Sequence, residues 1–128
     1  ENIRRILNLG HTLGHAMEKV RGVKHGFAVS AGMGFALNLS ARLGLIDPYT
    51  ESEVKELLRF FGLPSTLDEV AQAADVPEIL KAVESDKKKG GKTISFVLLK
   101  GIGESIIKNI GSEELGVFIT EDFSKKGK

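Results

Sequence analysis

The spacing of apolar positions divides the chain into four or five helices followed by one hairpin. From about Ile3 to Val20, the residues Ile6, Leu9, Leu13, Met17 and Val20 recur every three or four positions, which is one face of a helix. The stretch FAVSAGMGFALNLSARLGL, beginning at Phe27, is apolar nearly all round, so the second helix, from about Phe27 to Leu43, should be central and buried, with Gly44 ending it in the left-handed conformation. Thr50 with Glu53 has capping-box form and opens a helix to about Phe61, where Gly62 and Pro64 stop it. Thr66 with Glu69 repeats the signature for a short helix over LDEVAQAA, and Pro77 suits the first turn of another that ends near Ser85. The period then changes. KTISFVLL, the turn-like KGIG and ESIIKNI form a β-hairpin pattern, and the tail SEELGVFITEDFSKKGK suggests a short strand or turn before a frayed basic end. The expected fold is mainly α, a single multihelical domain over 1–128 with a small β-hairpin near the C-terminus.

Composition narrows the function classes. In 128 residues, hydrophobic types make up 41% and charged types 27%, the balance of an ordinary globular domain. A formal net charge of +1 gives no broad surface for nucleic acid or for a membrane, and no apolar run approaches the eighteen or so residues that span a bilayer. The chain has no cysteine, which removes disulfides and thiolate metal sites and fits a reducing cytoplasm. The first residue is Glu1 rather than methionine, and the helical pattern is already running at Ile3. The chain is therefore expected to be a piece of a longer polypeptide.

All three histidines, His11, His15 and His25, fall within RRILNLGHTLGHAMEKVRGVKHG. On an ideal wheel with Arg4 at zero, Asn8 lies at roughly 40°, His11 at roughly −20° and His15 at roughly 20°, so four reactive polar side chains share a stripe opposite the apolar face. A merely solvated face would favour lysine and glutamate, whereas histidine and asparagine are mediocre helix formers and interior Gly10 and Gly14 each cost up to about 1 kcal/mol relative to alanine. Local stability did not select this segment. Both glycines lie beside the polar stripe, where a missing side chain admits a ligand or another chain segment. Histidines four apart can hold one metal ion from a single helix face, but the residue after His11 is Thr12, not the glutamate of a zincin, which argues against a metalloprotease. Without cysteine, His25 is the natural further ligand. Spacing alone leaves open which histidines bind metal, and leaves His25 readable as a surface turn residue.

Two other segments carry weaker signals. DKKKGGKT contains GKT but has Asp86 where a Walker loop needs its first glycine, and a strand follows where a helix should; it reads as a solvated turn that can still attract phosphate. GMG in the second helix lacks the dinucleotide fingerprint and suits close helix packing, and no nucleotide-binding element is visible.

The arginine–x3–asparagine–x–glycine–histidine–x3–histidine segment, with KHGFAVSAGM after it and LGL, GLP and SDKKKGGKTISFVLLKGIGE following in order, resembles the C-terminal domain of the 3-dehydroquinate synthase family. The resemblance runs over nearly the whole chain. It implies the helical half of an NAD- and metal-dependent carbon–oxygen lyase of the shikimate pathway, whose N-terminal domain, outside this chain, binds NAD. Position by position, it makes His11 and His25 ligands of Zn2+ or Co2+, with a glutamate of the N-terminal domain as the third, and His15 the proton-transferring residue. It makes Arg4, Asn8 and Lys87 substrate-binding, while Glu1 falls near a second acidic proton acceptor of the family. Where the family usually has glutamate after the histidine–glycine pair, this chain has Phe27.

The implied reaction converts 3-deoxy-arabino-heptulosonate 7-phosphate, a phosphorylated sugar acid, to 3-dehydroquinate and phosphate. NAD transiently oxidises a substrate hydroxyl, phosphate is eliminated, the ketone is reduced again, and the ring opens and recloses on carbon. The implied partners are the N-terminal domain and, in the full-length enzyme, a second copy in a homodimer. The fragment alone should be inactive. Related sugar-phosphate cyclases of the 2-deoxy-scyllo-inosose or valiolone type share most of these positions, and a non-catalytic metal-binding module would keep the histidines alone.

Overall fold

The computed structural model describes residues 10–87, 93–100 and 104–124. In chain order these form α1 (His11–Arg21), α2 (His25–Arg42), α3 (Pro48–Phe60), two 3-10 turns (Leu67–Glu69 and Ala73–Asp75), α4 (Val76–Lys87), β1 (Thr93–Leu99), β2 (Ser105–Gly111) and α5 (Ser112–Ser124). The mainly helical architecture with its C-terminal hairpin is the one the apolar spacing implied. Among the described residues, no helix is long and apolar enough to cross a membrane.

The second helix is central, as its all-round apolarity requires. From Ala28 to Ser40 it is buried at every position but Val29 and Met33. Leu13, Ala16 and Met17 of α1 lie against it, and Ile79, Val83, Ile94, Phe96, Leu98, Ile110, Leu115 and Ile119 complete the same core. Phe35 meets Phe96 edge-to-face with centroids 5.9 Å apart, and each such fully buried large side chain contributes about 1.5–3 kcal/mol by leaving water. The strands pair antiparallel from Thr93 with Gly111 to Leu99 with Ser105. Buried Ser40 clips this hairpin to α2. Its hydroxyl donates to the Ala36 carbonyl at 2.7 Å and accepts from the Leu99 N–H at 3.0 Å, giving a buried backbone donor a partner.

Helix α2 is built for close approach. A Cβ on Gly32 would run into the Gly10 carbonyl oxygen and lie 3.1 Å from its carbon, and one on Gly34 would collide with the Ser65 carbonyl. The GMG motif is therefore a packing device, and the loop after α3 crosses the helix at Gly34. Buried Ser30 adds a hydrogen bond of 2.5 Å to the Pro64 carbonyl of the same loop.

Four expectations change. The helix expected from Ile3 to Val20 does not run unbroken, because Gly10 takes φ +87° and α1 begins at His11; residues 3–9 lie outside the described set. The third helix starts at Pro48 rather than Thr50. Asp47 is its cap, accepting the Thr50 N–H at 2.8 Å, because proline is best placed in a first turn. LDEVAQAA forms a 3-10 turn and then a second one further on instead of a helix. Acidic groups in and just after it bond locally: Glu69 accepts from the Ser65 N–H at 3.3 Å and the Thr66 hydroxyl at 2.9 Å, and Asp75 from the Gln72 N–H at 2.8 Å. The tail is a helix, not a strand or turn. Leu115, Ile119 and Phe123, four apart, are its buried face, and this periodicity outweighs the β-branched Val117, Ile119 and Thr120. The tail is held to α2 by Asn38 Nδ2 donating to Asp122 Oδ1 at 2.6 Å, an Arg42–Glu121 ion pair, and the Arg42 guanidinium 5.1 Å from the Phe118 ring centre. The expected end of α2 is met, with Gly44 at φ +79°.

Two stability outcomes are expected. Gly34→Ala should destabilise by at least about 2 kcal/mol, because backbone rather than a flexible side chain fills the space. Gly26→Ala, with open space around it, should be neutral or stabilising. Chemical denaturation distinguishes these, and equal midpoints would contradict the packing described. The Thr50 N–H holds the Asp47 carboxyl below the usual carboxylate range. Its contribution is therefore complete at neutral pH and is lost only as pH falls through that depressed value, below 3.8. The thermal midpoint of the wild type should exceed that of Asp47→Ala at pH 7, with the gap narrowing across that acid range.

Candidate functional site

The two helices α1 and α2 form a helical hairpin with a short link, Gly22 to Lys24. Gly22 closes α1 in the left-handed conformation at φ +68°, and its N–H donates to the Glu18 carbonyl at 2.9 Å. The chain reverses there and His25 becomes the first residue of α2. His11 and His15, one turn apart on α1, are thereby brought beside His25.

The three imidazoles form a nearly equilateral cluster. Ring centres lie 5.6 Å apart for His11 and His15, 5.8 Å for His11 and His25, and 6.1 Å for His15 and His25. His11 is half-buried, while His15 and His25 open to solvent. His25 is exposed at the start of α2, with its ring centre within 6.1 Å of those of His11 and His15. The expected glycine gap beside the polar stripe is filled by protein. A Cβ on Gly14 would lie 3.1 Å from Val29 Cα, and one on Gly10 would lie 2.8 Å from the Gly32 carbonyl carbon. These glycines bring α2 close enough for His25 to join the cluster, rather than making room for a substrate.

Glu18 is a fourth member that the residue spacing did not bring forward. Its carboxylate accepts a hydrogen bond from His25 Nδ1. Ligand atoms of His15, Glu18 and His25 all lie within 4.8 Å of one another. A signal existed, because Glu18 falls at roughly −40° on the wheel that places His11 and His15, within the same stripe. His15, Glu18 and His25 offer two imidazoles and a carboxylate, a nitrogen and oxygen donor set that fits Zn2+ or Co2+, and the His11 ring lies beside that group, its centre 5.6 and 5.8 Å from those of His15 and His25. Phe27, in the family's glutamate position, is 44% exposed at the start of α2 and offers no ligand atom. Arg4 and Asn8 lie outside the described residues, as does the DKKKGGKT loop from Lys88 to Lys92. Lys87 closes α4 in backbone, and its side chain lies outside the described atoms.

The helical fold has parallels of known structure. The chain superposes on the crystal structure of 2-deoxy-scyllo-inosose synthase complexed with carbaglucose-6-phosphate, NAD+ and Co2+, with a TM-score of 0.73 and 24% identity over 91% of this chain and 33% of that one. This likeness shows that the two share a fold over this region. The family described as 3-dehydroquinate synthase C-terminal matches residues 1–89, and the chain belongs to that family. It is 37% identical over 118 residues to the 3-dehydroquinate synthase of Thermoanaerobacter pseudethanolicus, covering 90% of this chain and 32% of that protein. It is 44% identical over 107 residues to that of Dehalococcoides mccartyi, covering 82% and 29%. The chain thus spans about a third of the length of these relatives.

Proposed function

We propose that this chain is the C-terminal, metal- and substrate-holding half of a cytoplasmic 3-dehydroquinate synthase. The full-length protein would convert 3-deoxy-arabino-heptulosonate 7-phosphate to 3-dehydroquinate and phosphate, using NAD bound mainly by an N-terminal domain and working as a homodimer. The single observation that carries the reading is the convergence of His11, His15 and His25, with centres within 6.1 Å, on a face open to solvent. An open cluster of this kind suits a cleft that a second domain closes. The identities of 37% and 44% to synthases favour this reaction over that of the 2-deoxy-scyllo-inosose synthase, which is 24% identical.

His11 and His25 would hold the divalent ion, Zn2+ or Co2+, with a carboxylate of the other domain. When bound, the ion supplies Lewis-acid polarisation of a substrate hydroxyl, and NAD supplies the hydride acceptor. His15 stands beside both proposed ligands and is exposed, so its imidazole can accept the hydroxyl proton and return it. The Arg4 guanidinium would fork onto the substrate carboxylate or phosphate, the Asn8 amide would hydrogen-bond a hydroxyl, and the Lys87 ammonium would add a point charge.

The test is made in the full-length protein. His15→Ala should lower turnover by at least about 100-fold with metal content nearly intact, whereas His11→Ala should lose metal and turnover together. Metal loss from His15→Ala as complete as from His11→Ala would reverse the two roles. Product analysis on heptulose and hexose phosphates separates this reaction from those of related cyclases, and turnover by the 128-residue chain alone would overturn the two-domain site.

A further inference from the structure

We propose that Glu18 is the positioning residue of His25, fixing which ring nitrogen faces the metal and in which rotamer the ring waits for it. The inference rests on the reading of His25 as a metal ligand and adds a residue to that reading. A carboxylate can only accept, so the hydrogen bond to Glu18 Oε2 requires the hydrogen to sit on His25 Nδ1. That leaves Nε2 as the ring nitrogen with a lone pair for a cation.

The position of His25 makes such a partner necessary. It is the first residue of α2, just after the link, with its side chain 61% exposed. An imidazole so placed has only the edges of the His11 and His15 rings beside it, and ring contacts alone select a rotamer weakly. Among the described residues, Glu18 is its one hydrogen-bonding partner. The glutamate is well placed to act as a fixed post. It sits in the last turn of α1, its side chain is only 31% exposed, and its own carbonyl is held by the Gly22 N–H. A single residue thus terminates the first helix through its backbone and orients the first side chain of the second through its carboxylate. Carboxylates bonded to a ligating histidine raise ligand basicity and hold ring orientation, and their loss typically weakens metal binding about ten- to a hundred-fold.

The experiment titrates Co2+ into the metal-free full-length protein and its variants, and follows histidine ring nitrogens by 15N NMR before metal is added. Glu18→Ala should weaken Co2+ binding about ten- to a hundred-fold and shift His25 away from the pure Nδ1–H form, with helix content unchanged. Glu18→Gln keeps an acceptor oxygen and should recover most of both signals. His25→Ala is the reference. If His25→Ala binds Co2+ as the wild type does, the reading of His25 as a ligand fails; if only the Glu18 variants do, with an unaltered tautomer, the positioning role alone is overturned. A cobalt absorption spectrum of Glu18→Ala that matches His25→Ala in losing one ligand would instead make Glu18 a direct ligand, and would also overturn it.

Discussion

The closeness of two helix backbones is the constraint on which the rest of this domain depends. The Gly10 main chain meets that of Gly32 directly, and Gly14 leaves Val29 of α2 only the space of a missing side chain away from α1. Interior glycines cost helix propensity of up to about 1 kcal/mol each, and a gain in helix–helix contact offsets it. The approach buries Leu13 and Met17 completely against α2, and it brings together the histidines of both helices.

The site is thus a consequence of packing at a helical hairpin rather than of one amphipathic helix. His11 and His15 share a face of α1 because they are four apart, but His25 reaches them through the reversal at Gly22. Glu18 links the two sides through its hydrogen bond to His25. The left-handed close of α1 reverses the chain, and the packing of α1 on α2 then sets the distances between the histidines. Behind them, the α2 core and the Ser40 clip to β1 make the platform rigid. The platform is held on its inner face and open at its histidines, and the chain spans about a third of the length of its relatives.

Much of this was legible in the residue pattern, and the failures have specific causes. Helical periodicity gave α2, α4 and the end of α1 to within a few residues, and the change to β-branched alternation gave the hairpin. The tail was misjudged because Val117, Ile119 and Thr120 favour strands locally, while the four-residue recurrence of Leu115, Ile119 and Phe123 favours a helix once a core exists to receive it. The cap of α3 was misplaced by weighing Thr50 and Glu53 above Asp47–Pro48, although proline's missing N–H costs nothing in a first turn.

By itself the sequence determined the helical class, the buried character of α2, the concentration of all three histidines in one short segment and, through its motif, the family. These depend on periodicity and residue identity, which are local properties of the chain. The tertiary structure alone decided that α1 starts at His11 after a left-handed Gly10, that the glycines serve a neighbouring backbone, that His25 lies beside His11 and His15, and that Glu18 is its partner. Each of these depends on which segment lies across from which. A distance between residues on different helices is set by the packing of both, and no spacing along one chain segment encodes it.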